Sequence, residues 1–198
     1  MLRRAVFLDR DGVINELALN PNTGEYESPH IPAEAKILPG AVAAARRLQE
    51  AGFLLFIVSN QPSYAKGKAT LENIKAIAAK VEQALREGGV RLAKAYYCYH
   101  HPLGIVPGLS GPCGCRKPGT QSLFEARDHY SLDLGRSWMI GDQETDVECG
   151  RRAGCRTILI ANPLSASRRP GVGQPTLCAA DLPEAVGKLL AAVQGEPS

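Results

Sequence analysis

The 198-residue chain lacks any long apolar run: the longest spans residues 53–58, where a membrane-crossing helix needs roughly 20. It lacks a large excess of one charge. Its 23 Lys+Arg against 20 Asp+Glu give a net +3, too little to argue for nucleic acid or an anionic surface as partner. No basic, aromatic-rich stripe is present, and Arg168 and Arg169 read as a solvated loop. There is no internal repeat or low-complexity tract, and 44% hydrophobic with 22% charged residues excludes wholesale disorder, collagen and coiled coil. No Gly-x-Gly-x-x-Gly follows the first apolar run, so the dinucleotide fingerprint is missing. Arg3 and Arg4 precede only four apolar residues before Asp9 and Asp11, too few for an export core. The expectation is a cytoplasmic monomer that binds neither membrane nor nucleic acid.

The length suits one domain over 1–198, with a loop inserted at 98–116 and a C-terminal strand and helix within 163–198. Short runs rich in β-branched or aromatic residues predict strands at 5–8, 54–59, 92–98, 137–140 and 157–160. Helical spacing lies between them. The clearest case is 70–87, where Leu71, Ile74, Ala78, Val81 and Leu85 share a face behind a Thr70 cap, with Gly88 and Gly89 as the stop. Further helices are predicted at 41–51, 121–130, 143–153 and 182–193. Such alternation predicts an α/β fold: a Rossmann-like parallel sheet with helices on both faces, its binding groups at the carboxyl ends of the strands.

Those strand ends carry Asp9 and Asp11, then Ser59 and Asn60, then Asp142 and Asp146. Carboxylates gathered in one crevice repel one another, and a hard divalent cation with oxygen ligands, usually Mg²⁺, relieves the repulsion. Lys117 offers a point positive charge and Arg116 a planar fork for phosphate or sugar oxygens. Acid, hydroxyl, cation and amine together point to phosphoryl transfer on a small phosphate ester.

The segments Phe7-Leu8-Asp9-Arg10-Asp11-Gly12-Val13-Ile14-Asn15, Val58-Ser59-Asn60-Gln61, Cys115-Arg116-Lys117-Pro118 and Ile140-Gly141-Asp142 through Asp146 resemble the four motifs of the haloacid dehalogenase superfamily. Within it the chain is similar to the capless D-glycero-D-manno-heptose-1,7-bisphosphate phosphatases and the related histidinol-phosphate phosphatases, over about residues 5–162. The resemblance implies that Asp9 attacks phosphorus to form an aspartyl-phosphate, a form of covalent catalysis, while Asp11 protonates the leaving oxygen and later activates water. It also implies Mg²⁺ held by the side chains of Asp9 and Asp142 and the backbone carbonyl of Asp11, supported by Asp146. Ser59 and Lys117 would hold the phosphoryl oxygens. Arg10, Asn60, Arg116 and Gln143 are the candidate substrate contacts. The implied reaction takes heptose 1,7-bisphosphate to heptose 1-phosphate, with histidinol phosphate or another sugar phosphate as the alternative.

Three segments depart from that pattern. Residues 16–26 replace a shorter substrate loop, Ser59-Asn60-Gln61-Pro62-Ser63-Tyr64 lacks the usual glycine, and Gln143 stands where the heptose enzymes commonly carry lysine.

Cys98-x-His100, twelve residues, then Cys113-x-Cys115 supply four ligands for a closed structural zinc site, which would shape a Gly/Pro-rich loop unable to bury a core. The heptose-bisphosphate phosphatases carry the same Cys-x-His and Cys-x-Cys pattern before Arg-Lys-Pro. Cys149, Cys155 and Cys178 read as buried small residues, and His30, His101 and His129 receive no metal role. A phospho-accepting receiver module, the non-enzymatic alternative, also gathers Asp, Ser/Thr and Lys around Mg²⁺. Its acceptor, however, follows a middle strand, and it has no place for a zinc loop.

Overall fold

The structure, a computed structural model, describes residues 2–169, 171 and 173–194. Of the expected 1–198 span, residues 1, 170, 172 and 195–198 lie outside the described residues. In chain order the elements are β1 (Ala5–Leu8), β2 (Ala18–Leu19), β3 (Tyr26–Glu27), α1 (Ala41–Glu50), β4 (Leu54–Asn60), α2 (Leu71–Glu87), β5 (Leu92–Cys98), α3 (Gln121–Tyr130), β6 (Trp138–Gly141), α4 (Glu144–Arg152), β7 (Arg156–Ile160), β8 (Leu177–Ala179) and α5 (Leu182–Gln194).

Six strands form one sheet in the order β5-β4-β1-β6-β7-β8, and every pairing in it is parallel. Parallel strands are covered on both faces, so their residues are apolar in both directions. Val6 and Leu8 of β1 join a core built with α1, α2 and α5. Ala5 and Phe7 point the other way, into a core with α3 and α4. The expected helices on both faces are therefore present. Because β1 lies between β4 and β6, the ends of these three strands open side by side at a reversal of strand order, where parallel sheets bind ligands.

Local chemistry fixes the element ends. The Thr70 side chain accepts from the Asn73 amide at 3.1 Å, which caps α2 as its sequence predicts. Ser137 stays outside β6 because its hydroxyl accepts the Ala5 amide at 2.9 Å and donates to the Asp133 carbonyl at 2.6 Å. The antiparallel pair β2–β3 lies inside what the sequence presents as a plain loop. Strands of two residues are too short to show alternation.

Two expectations need correction. Cys178 is exposed, because β8 is an edge strand. Arg168 and Arg169 are not a solvated loop: Arg168 donates to the Tyr26 carbonyl, and Arg169 donates to the carbonyls of Asp142, Ile160 and Asn162 at 3.2, 3.1 and 2.9 Å. Asp142 and Asn162 follow the ends of β6 and β7, and Arg169 adds a donor to their carbonyls. Among the described residues no helix is long and apolar enough to cross a membrane.

Candidate active site

Asp9 and Asp11 follow β1, Ser59 and Asn60 end β4, Asp142 follows β6, and Asp146 sits in the first turn of α4. All except Asn60 are buried. Lys117 reaches them from the loop between β5 and α3. Its ammonium lies 2.9 Å from Asp9 Oδ1 and 2.6 Å from Asp146 Oδ1, and it donates to the Val58 carbonyl at 2.6 Å. Burial alone would pull the Lys117 pKa down, but Asp146 and Asp9 outweigh it and hold the amine charged. Asn60 fixes the loop beneath it: Nδ2 donates to the Lys117 carbonyl at 3.1 Å, and Oδ1 accepts the Lys117 amide at 2.9 Å.

Asp9, Asp142 and Asp146 bring a carboxylate oxygen each to within 4.8 Å of one another. Asp142 is fully buried, yet neither of its carboxylate oxygens has a hydrogen-bond partner. Burial first, then the charges of Asp9 and Asp146, push its pKa up. Asp146 also moves up through burial, against the pull of Lys117. Buried anionic oxygens without donors are costly, and this donor set of hard oxygens fits a divalent cation. Gly12 makes the close approach possible. Its φ is +84°, and a Cβ there would lie 2.4 Å from Asp142 Oδ2.

Asp11 has a different environment. Arg10 Nε and Asn15 Nδ2 donate to Oδ1, both at 2.9 Å, while Arg10 Nη2 and Gln61 Nε2 donate to Oδ2 at 3.0 and 2.6 Å. Burial pushes the Asp11 pKa up, but Arg10, Gln61, Asn15 and Ser28 together bring it below the usual carboxylate range. Gln61 also donates to Ser59 Oγ at 3.0 Å, tying the acid to the hydroxyl. Arg10 has no exposed surface. Expected at the substrate, it lies behind Asp11 because its guanidinium is the counter-charge that a buried carboxylate requires.

Asp9, Asp11, Asp146, Ser59 and Lys117 line an inner pocket of about 20 Å³, together with Ser28, Asn60, Gln143 and Thr145. That is room for a small ion or head group, so the body of any ester lies further out. Arg116 is half-buried at the outer mouth and donates to the His100 carbonyl at 3.3 Å. Ser28 and Thr145 escaped the sequence reading, while Asn15 and Gln61 stand in its motifs without an assigned role. Gln61 carried a signal, since it closes the strand-end motif; Ser28 carried none, since it follows a hairpin of two-residue strands.

Cys98, His100, Cys113 and Cys115 also converge within 4.8 Å. Cys98 Sγ lies 3.7 Å from Cys113 Sγ and 3.8 Å from His100 Nδ1. Cys115 Sγ lies 2.9, 3.6 and 3.6 Å from Cys98, Cys113 and His100. A tetrahedral site with metal–sulfur arms of ~2.3 Å has edges of about 3.8 Å. Most of these separations fit such a site.

A HAD-hydrolase-like family model matches residues 114–185. D-glycero-beta-D-manno-heptose-1,7-bisphosphate 7-phosphatase from Escherichia coli K12 is 32% identical over 187 residues, covering 93% of this chain and 94% of that protein. D-glycero-D-manno-heptose-1,7-bisphosphate 7-phosphatase from Thermosynechococcus vestitus is 34% identical over 194 residues, covering 94% and 95%. Among solved structures, D,D-heptose 1,7-bisphosphate phosphatase from B. bronchiseptica, complexed with magnesium and phosphate, superposes with a TM-score of 0.78 at 27% identity, covering 96% of this chain and 99% of that one.

Proposed function

Since the chain belongs to the haloacid-dehalogenase-like phosphatases that include the heptose-1,7-bisphosphate 7-phosphatases, we propose that it hydrolyses the 7-phosphate of D-glycero-D-manno-heptose 1,7-bisphosphate in the presence of Mg²⁺. The observation that carries this reading is the buried set of Asp9, Asp142 and Asp146 with Lys117 held among them. Mg²⁺, held by the side chains of Asp9 and Asp142 and the Asp11 carbonyl with Asp146 behind, would stabilise charge on a phosphoryl oxygen.

Asp9 attacks phosphorus, the bond to the sugar oxygen breaks, and Asp11 gives that oxygen a proton. Asp11 then takes a proton from water as the water oxygen attacks the aspartyl-phosphate, which frees Asp9 and inorganic phosphate. A positioned acid/base of this kind contributes about 10²–10⁴ in rate. The hydrogen bonds from Arg10, Asn15 and Gln61 hold Asp11 as the anion, the form needed in the second step. Donation in the first step requires Asp11 to hold a proton, taken from solvent or kept from the water of the preceding turnover, as its carboxyl turns from these donors toward the leaving oxygen. Lys117 and Ser59 hold the phosphoryl oxygens where charge builds up. Cys98, His100, Cys113 and Cys115 would hold a structural zinc, which would set the loop that delivers Arg116 and Lys117.

The test is Mg²⁺-dependent phosphate release from heptose 1,7-bisphosphate, histidinol phosphate and hexose phosphates, with Asp9→Asn as the blank. The bisphosphate is expected to lead by about 100-fold in kcat/KM, roughly 2.7 kcal/mol. A lead by another ester overturns the substrate; no release above the blank overturns the phosphatase.

A further inference from the structure

Gln61 has no exposed surface, and both ends of its side-chain amide are spoken for. Arg10 Nη2 donates to Oε1 at 2.9 Å, while Nε2 donates to Asp11 Oδ2 at 2.6 Å and to Ser59 Oγ at 3.0 Å. Which end of an amide is nitrogen is decided by its neighbours. Two of them decide it here in the same sense, because a guanidinium has no acceptor and an ionised carboxylate has no donor. The Arg10 side can hold only the Gln61 oxygen, and the Asp11 side only the nitrogen. Arg10 is itself fixed. It is fully buried, Nε and Nη2 lie on the two Asp11 oxygens at 2.9 and 3.0 Å, and its guanidinium carbon sits 5.9 Å from the centre of the Tyr97 ring. The Gln61 backbone is held as well, by its amide donating to the Cys98 carbonyl at 2.7 Å.

That orientation settles which way the Ser59 hydroxyl faces. A serine hydroxyl has one hydrogen to give and two lone pairs to receive. Ser59 Oγ spends a lone pair on the Gln61 N–H, and the only side-chain oxygen of Gln61 is turned to Arg10. Gln61 therefore cannot take the Ser59 hydrogen, and Ser59 lines the inner pocket. A reversed amide would capture that hydrogen and leave a lone pair facing the phosphoryl oxygens, where charge of the same sign builds up. Three consecutive residues thus divide the work at the end of β4: Ser59 faces the pocket, Asn60 holds the Lys117 loop, and Gln61 joins the hydroxyl to Asp11.

We propose that Gln61, locked by Arg10, is a positioning residue that aims the Ser59 hydrogen at the phosphoryl oxygen gaining charge during transfer. The inference rests on the phosphatase reading and adds what orients one of its donors. Gln61 touches no substrate atom and acts through Ser59 and Asp11.

The test is a double-mutant cycle between Gln61 and Ser59, read as the Ki of orthovanadate, whose five-coordinate form mimics the phosphoryl group in transfer. The proteins are wild type, Gln61→Met, Ser59→Ala and the double variant, in Mg²⁺, with KM for heptose 1,7-bisphosphate and Tm measured on each. Each single variant is expected to raise the vanadate Ki about tenfold while KM moves less than about threefold. The double variant is expected to stay close to Ser59→Ala, because without the hydroxyl Gln61 has nothing to aim. Gln61→Asn, whose amide is too short to span Arg10 and Ser59, should match Gln61→Met and decides the matter if Gln61→Met does not fold. Ser59→Thr, which keeps the hydroxyl, should keep the Ki near wild type and keep its dependence on Gln61. Arg152→Gln, a surface change remote from the cleft, serves as the control. An unmoved Ki in the Gln61 variants, or a loss of about a hundredfold in the double variant, overturns the positioning role while ester hydrolysis by the wild type stands. Hydrolysis of no ester by the wild type overturns the phosphatase reading and this role with it.

Discussion

Replacing Lys117 with Met removes the cation that neutralises Asp9 and Asp146 and leaves three buried carboxylates facing one another. Breaking a buried pair by deleting one partner costs about 3–5 kcal/mol. Here the cost depends on pH, because carboxylates relieve repulsion by taking up protons. A carboxyl whose pKa is raised in the folded state binds more protons there than in the unfolded chain, so stability falls as pH rises above its ordinary value. Each extra retained proton costs about 1.4 kcal/mol per pH unit. Asp142 and Asp146 are already shifted upward in the wild type, so its metal-free stability declines over the same interval. The Lys117 pKa is raised in the folded state, so its own contribution stays full below its unfolded value of about 10.4 and does not vary between pH 5 and 8. The deficit of Lys117→Met relative to wild type therefore reports the additional proton: about 1 kcal/mol at pH 5 and about 3–5 kcal/mol at pH 8. Urea denaturation in magnesium-free buffer at pH 5, 6.5 and 8 measures it. A deficit under about 1 kcal/mol at pH 8, or one that does not grow with pH, refutes the reasoning.

Gly12→Ala places a Cβ 2.4 Å from Asp142 Oδ2 at a φ of +84°. It is expected to cost about 1–3 kcal/mol and to shrink the rise in Tm that millimolar Mg²⁺ gives the wild type, both read by thermal melts. Gln61→Ala leaves Asp11 Oδ2 and Ser59 Oγ each short of a donor. About 1–3 kcal/mol of stability should be lost in denaturant titrations, and kcat should fall at least tenfold with little change in KM. Cys115→Ser breaks the four-ligand cluster, and zinc per chain by mass spectrometry should fall well below the one equivalent expected of wild type, with a lower Tm.

Periodicity revealed the sheet because parallel strands buried on two faces leave continuous apolar runs, such as residues 53–58. The carboxylates were legible for a related reason, since strand ends are where a parallel sheet exposes its chemistry. What stayed hidden was built from polar segments without periodicity. The pairing of Ala18–Leu19 with Tyr26–Glu27 leaves no pattern in the sequence, yet it positions Ser28. Arg10 reads as a substrate contact and Arg169 as part of a solvated loop. Burying Asp11 and ending two strands beside it created the acceptors that draw them inward.

The account turns on Asp9 as the group that takes the phosphoryl from the substrate. Single turnovers with phosphorus-labelled substrate, quenched in acid and mapped by peptide, test this in the wild type and in Asp11→Asn, where hydrolysis of the intermediate is slowed. The account predicts hydroxylamine-sensitive label on the peptide containing Asp9, appearing before free phosphate and persisting longer in Asp11→Asn. Free phosphate forming in both proteins while Asp9 never carries label would contradict it.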